Sequence, residues 1–227
     1  MGIFNKNHIN AGYLAGGYIQ ANSSFSTLAD NTCLNALENS NEKVYLITSA
    51  SLREGKTTVS INLALHIARR GRKVLLIDAN LRNPTIGDVF NSSSLPGLTQ
   101  IVCNGASMTD LIIPVDEYNI HLIPSGKIDH EPFEVFTSPK MTDNIELAKK
   151  LYDFVIIDCT AVNIHIDPLL LCPLVDQIIF VVLADHTEKN NVHVAKARIL
   201  NAEGKILGIV LNRERFSFLN NGKCLYY

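Results

Sequence analysis

"VYLITSASLREGKTTVSINLALHIARR", residues 44–70, decides the fold. Its first five residues (44–48) are an apolar run rich in β-branched and aromatic side chains, as in a strand buried on both faces. Residues 56–70 place apolar groups at helical spacing and stop before Gly71. The loop between them, "TSASLREGKTT" (48–58), ends in Gly55, Lys56 and Thr57. A strand, a loop with that ending and a helix are the context of a phosphate-binding loop. In such a loop the backbone N–H groups and the first helical turn point at phosphates. Lys56 would bring positive charge to the β- and γ-phosphates, and Thr57 would offer its hydroxyl to Mg2+. Gly55 lets the backbone approach without a Cβ in the way. The usual pattern asks for glycine at Ala50 as well. The loop taken alone therefore reads equally well as a polar strand-to-helix turn.

Working outward, the same strand signature recurs at 73–78 ("KVLLID"), 119–124, 154–158 ("FVIID"), 177–183 and 205–212. Helical patterns at 140–151 and 188–203 separate the later strands. This alternation predicts an α/β domain, a doubly wound, mostly parallel sheet with helices on both faces. Two strands end in an acid, Asp78 and Asp158, each after four apolar residues. Both should emerge at the carboxyl edge of the sheet, beside the 48–58 loop, where open α/β sheets bind ligands. A buried carboxylate needs a partner, and a metal ion or its water shell is one; helix capping is the other. Three features converging on one edge favour ATP with Mg2+, with Lys56, Asp78 and Asp158 as the reactive set. Thr57, Asp78 and Asp158 are the metal candidates.

Composition narrows the classes. The chain has 227 residues, 47% of them hydrophobic, which suits one globular domain with a sizeable core. A net charge of -2 gives no basic field for nucleic acid. No apolar run reaches the roughly 18 residues of a membrane span, and "MGIFNKNHIN" lacks the apolar core of a secretory signal. Cys33, Cys103, Cys159, Cys172 and Cys224 show no C-x-x-C spacing, so the expectation is a cytoplasmic chain with reduced thiols. The seven histidines form no metal spacing. Residues 1–24 read as a flexible N-terminal arm, 25–213 as the domain, opening with a short helix over 25–37, and 214–227 as a loose tail.

With these residues in view, the sequence resembles the kinase domain of bacterial tyrosine kinases. These autokinases act in capsule and exopolysaccharide biosynthesis and belong to the Min/Par-like class of P-loop ATPases. The resemblance runs from about residue 20 to 213. It rests on the 48–58 loop, on "VLLIDANLRNP" (74–84), on "DFVIIDCTAV" (153–162), on "LPGLTQIVCNG" (95–105) and on "GIVLNR" (208–213). The family loop also lacks the first glycine. The resemblance places Arg53, Glu54, Gly55, Lys56, Thr57 and Thr58 around the phosphates, and Asn212 and Arg213 near the adenine. It implies a partner at the cytoplasmic end of an inner-membrane polysaccharide chain-length regulator, a place beside that membrane, and a homo-oligomer.

The sequence departs from the family at several points. Leu52 and Arg53 replace Pro-Gly, Ala161 replaces a proline, and Asn80 replaces the second aspartate of the second acidic motif. Ser23, Ser26 and Ala29 stand where the family carries Glu, Arg and Arg of its ring-forming motif. Only Tyr226 and Tyr227 remain of the tail tyrosines. Asn80 is chemically the sharpest change, because an amide cannot take up a proton at neutral pH. Arg53 reads either as a solvated surface side chain or as a group reaching the γ-phosphate. Arg82 could pair with a carboxylate or a phosphate at the same edge. Three functions therefore stand: a tyrosine autokinase; a nucleotide-sensing adaptor of the same machinery with weak or no catalysis; and a Min/Par-type positioning ATPase. The last usually carries a lysine at the position of Ser51 and a membrane helix at its end, and this sequence shows neither.

Overall fold

The computed structural model describes residues 41–115 and 119–212. Expectations for 1–40 and 213–227 concern residues outside that range, including the arm, the 25–37 helix, the ring-motif positions, Arg213, Tyr226 and Tyr227. Among the described residues seven strands form one sheet: β1 (Val44–Ser49), β2 (Val74–Asp78), β3 (Ile113–Val115), β4 (Ile120–Ile123), β5 (Phe154–Ala161), β6 (Gln177–Leu183) and β7 (Ile206–Asn212). Their order is β3-β4-β2-β5-β1-β6-β7, and every pair is parallel except β3 with β4. β1, β2 and β5 are buried along their whole length, which explains why they read as unbroken apolar runs.

Among the described residues eight α-helices connect the strands: α1 (Lys56–Arg69), α2 (Ile86–Val89), α3 (Leu98–Val102), α4 (Met108–Leu111), α5 (Pro132–Thr137), α6 (Pro139–Leu151), α7 (Asp167–Leu171) and α8 (Lys189–Asn201). The core divides into two clusters, one on each face of the sheet. In one, Val59, Ile61, Leu65 and Ile67 of α1 pack on Tyr45, Ile47, Leu76 and Ile156. In the other, Met141, Ile145 and Ala148 of α6, with Ala195 and Ile199 of α8, pack on Leu75, Val155, Ile157 and Phe180. Helices thus lie on both faces, the doubly wound arrangement that the strand and helix alternation implies.

Two details differ from the sequence reading. β3 is an added antiparallel edge strand; it contains Pro114, which a terminal strand tolerates because one side of its backbone needs no partner. β5 does not stop at Asp158 but continues through Cys159, Thr160 and Ala161. Beyond a shift in register between Ile47 and Ser49, Ser49 of β1 pairs with Ala161, and the Thr48 hydroxyl donates to the Thr160 carbonyl at 2.7 Å. These pairings hold the extra residues in the sheet, and no apolar pattern announces them. Asp158 still meets the expected neighbour, because β2 and β5 align Asp78 with Asp158.

Candidate functional site

The site is built from the carboxyl ends of five strands. β1 delivers the loop, which ends in Gly55 at φ 89° and enters α1. No side chain of the described residues caps α1. The leading N–H groups of a helix have no partner within it, so this end attracts an anion. Lys56 is buried at the same point. Its Nζ donates to Ser49 Oγ at 3.0 Å and to the Ser51 carbonyl at 3.4 Å. Burial pulls its pKa down, while the charges of Asp158 and Glu54 pull it back up. An uncapped helix start beside a buried ammonium fits a phosphate group.

The acids and hydroxyls form one network. Thr57 Oγ1 donates to Asp158 Oδ2 at 2.7 Å, and Ser60, one helical turn on, donates to Asp158 Oδ1 at 2.8 Å. Thr85 Oγ1 donates to Thr57 Oγ1 at 3.1 Å. Asp78 accepts the N–H of Asn80 on Oδ1 at 3.2 Å and that of Ile86 on Oδ2 at 3.1 Å. Both carboxyls are fully buried. Burial and the charge of Asp158 raise Asp78 to about 7. Burial raises Asp158 to about 6, against the hydroxyls of Thr57 and Ser60 and the charge of Lys56. Two adjacent acids that resist ionising together suit a divalent cation, which relieves the repulsion. Among the described residues no three His, Cys, Asp or Glu side chains converge on one point.

Other candidates stand differently. Asn80 Nδ2 donates to the Asn83 carbonyl at 2.8 Å, and its buried Oδ1 has no hydrogen-bond partner among the described residues. Arg82 makes a two-point ion pair with the buried Asp167, Nε to Oδ2 at 2.7 Å and Nη2 to Oδ1 at 3.0 Å. Of its two expected partners the structure supplies the carboxylate. Arg53 is exposed, at φ 62°. Thr58 lies in the first turn of α1, its carbonyl accepting the Asn62 amide at 2.8 Å. Glu54 turns its carboxylate inward, onto the Ser51 N–H and the Thr187 hydroxyl. Asn212, expected at the base, uses its amide to donate to the Glu54 carbonyl at 2.9 Å.

Sequence reasoning missed Ser49, Ser60, Thr85, Asp167 and Thr187. Two of these had a local signal: Ser60 is a polar residue three after Thr57, on the same face of an otherwise apolar helix, and Ser49 lies in the same loop as Lys56, seven residues before it. Thr85, Asp167 and Thr187 reach the site through tertiary contacts.

The family described as the AAA domain matches residues 53–182. Tyrosine-protein kinase YwqD of Bacillus subtilis is 34% identical over 175 residues, covering 77% of this chain and 74% of that protein. The succinoglycan biosynthesis transport protein ExoP of Rhizobium meliloti is 30% identical over 186 residues, covering 80% of this chain but 23% of that protein. The crystal structure of the VpsO kinase domain superposes with a TM-score of 0.76 at 28% identity, covering 89% of this chain and 97% of that one.

Proposed function

The chain belongs to the bacterial tyrosine kinases, a P-loop ATPase family of capsule and exopolysaccharide synthesis, and from that premise we propose that it binds ATP with Mg2+ at the start of α1 and transfers the γ-phosphoryl group slowly. One observation carries the reading: Thr57 donates to Asp158, Asp158 lies in register with Asp78, and Lys56 is buried beside them. Gly55, Lys56, Thr57 and Thr58 would receive the phosphates on backbone N–H groups and the ammonium. Thr57, Asp158 and Asp78 would hold Mg2+, directly or through water, and the ion would neutralise charge on the transferring group.

The weak step is taken to lie at Asn80. Its amide is committed to the Asn83 carbonyl, and no amide accepts the proton of an attacking hydroxyl. Loss of a general base typically costs 10²–10⁴-fold in rate. The acceptor would be a tyrosine of this chain or a second copy, with Tyr226 and Tyr227 as candidates. The partner would be the cytoplasmic end of a membrane-bound chain-length regulator. ExoP supports this, being a transport protein in which the matched region is about a quarter of the length. No described helix is long and apolar enough to cross a membrane.

The test combines binding with turnover. Mant-ADP should bind, and more tightly with Mg2+ than with EDTA. Phosphotyrosine, followed by mass spectrometry after incubation with ATP, should accumulate slowly in the wild type and at least roughly tenfold faster in Asn80→Asp. Brisk turnover by the wild type would sink the weak-transfer reading. Binding with no phosphotyrosine in either protein selects the adaptor. No binding removes both.

A further inference from the structure

Glu54 is a buried carboxylate inside the phosphate loop, between two residues of left-handed backbone, Arg53 and Gly55. Arg53 bears a Cβ, so its conformation costs free energy and must be held by surrounding contacts. Glu54 supplies them in three directions. Its Oε2 accepts the Ser51 N–H at 3.0 Å, closing the loop on itself. Its carbonyl accepts the amide of Asn212 at the end of β7. Its Oε1 accepts the hydroxyl of Thr187, in the connection between β6 and α8. Thr187 is itself fixed, because its oxygen accepts the Leu183 N–H at 3.0 Å at the end of β6. The result is a relay from Leu183 through Thr187 and Glu54 to Ser51, spanning 133 residues of sequence at the Glu54–Thr187 link. Thr187 lies in neither acidic motif and touches neither Asp78 nor Asp158 through any hydrogen bond of the described residues.

We propose that Thr187 is a positioning residue for the phosphate loop, holding Glu54 in the orientation that leaves Lys56 and the loop N–H groups available to nucleotide phosphates. The inference rests on the nucleotide-binding reading above and adds a residue outside every motif. The physical reason is competition. The Glu54 charge already acts on Lys56. Without the Thr187 hydroxyl, one oxygen of a buried carboxylate loses its donor, and the ammonium on which its charge acts, the one the phosphates need, is a donor it can turn to. Nucleotide affinity is thereby coupled to the β6–α8 connection.

The experiment measures two things on the full chain. Mant-ADP titration of the wild type, Thr187→Ser, Thr187→Val, Glu54→Gln and the Thr187→Val/Glu54→Gln pair reads affinity. Hydrogen exchange of the segment containing the Ser51 amide, with no nucleotide present, reads the loop. Thr187→Val should weaken mant-ADP binding roughly tenfold and speed exchange there, and Thr187→Ser should restore both. The double variant should be weaker than wild type by less than the product of the two single effects. Wild-type affinity in Thr187→Val, or multiplicative effects in the pair, overturns the inference while leaving nucleotide binding intact. If wild type binds no mant-ADP, the binding reading falls, and the exchange data still decide whether Thr187 orders the loop. A fold lost in Thr187→Val is recognised by its circular dichroism, and the Thr187→Ser and Glu54→Gln comparison then carries the decision. Glu54→Gln with unchanged affinity and exchange overturns the proposal.

Discussion

Gly55 is fixed by two separate constraints. Its φ of 89° lies where a side chain is strained, and a Cβ there would collide with the carboxamide of Asn212. The two can be separated by experiment. Gly55→Ala should cost about 2–3 kcal/mol, read as a fall in the urea midpoint at unchanged slope. Adding Asn212→Ala removes the collision but not the strain. The pair should therefore be more stable than the sum of its single effects. If the pair is strictly additive, the collision is not part of the cost. The motif made Gly55 legible in the sequence through its usual role of close phosphate approach. The contact with Asn212 was not legible, because it joins the start of α1 to the end of β7, whose proximity the β1–β6 and β6–β7 pairings create.

At the scale of elements, the start of the sheet is fastened by one acid. Asp176, just before β6, accepts the N–H groups of Lys43 and Val44 at 2.9 Å each and the Lys149 ammonium of α6 at 3.1 Å. Burial alone would raise its pKa, but these donors outweigh it and hold it below the ordinary value. An acid with a depressed folded pKa binds fewer protons folded than unfolded. Its contribution is complete above the unfolded pKa near 4 and is lost as pH falls through the lower folded value. Asp176→Asn should therefore lower the melting temperature near pH 7 and flatten its decline below pH 4. An acid limb as steep as that of the wild type would show that Asp176 does not fasten β1, β6 and α6.

The same scale shows what the sequence could reveal. β1, β2 and β5 announced themselves because both their faces are covered, leaving runs with no polar alternation. β3 did not, being three residues with a central proline, defined by its pairing with β4. Lys56, Thr57, Asp78 and Asp158 were legible because each sits at a strand end or helix start that local pattern locates. Asn80 was legible as a chemical departure but not as a turn brace, since its bond to Asn83 depends on how the chain turns after β2.

For the whole molecule, the candidate site draws on β1, β2, β5, β6 and β7 through Lys56, Asp78, Asp158, Thr187 and Asn212. These five strands include the middle of the sheet and carry the two core clusters on their faces. A ligand held by all of them cannot stay bound once the sheet opens, so its binding energy becomes folding energy. With nucleotide at about 100 times its dissociation constant, linkage adds about 2.7 kcal/mol. For a domain of this size that corresponds to a melting temperature about 5–10 °C higher. ADP with Mg2+ should produce this shift in the wild type, and EDTA should reduce it if the two carboxylates need the ion to ionise together. Lys56→Met supplies the control. It removes a buried ammonium that makes two hydrogen bonds within its own loop and balances the Asp158 charge, so the readout is the ADP shift measured against the variant's own unliganded melting temperature, and that shift should be largely lost. A shift in Lys56→Met equal to that of the wild type would place the nucleotide elsewhere than the start of α1.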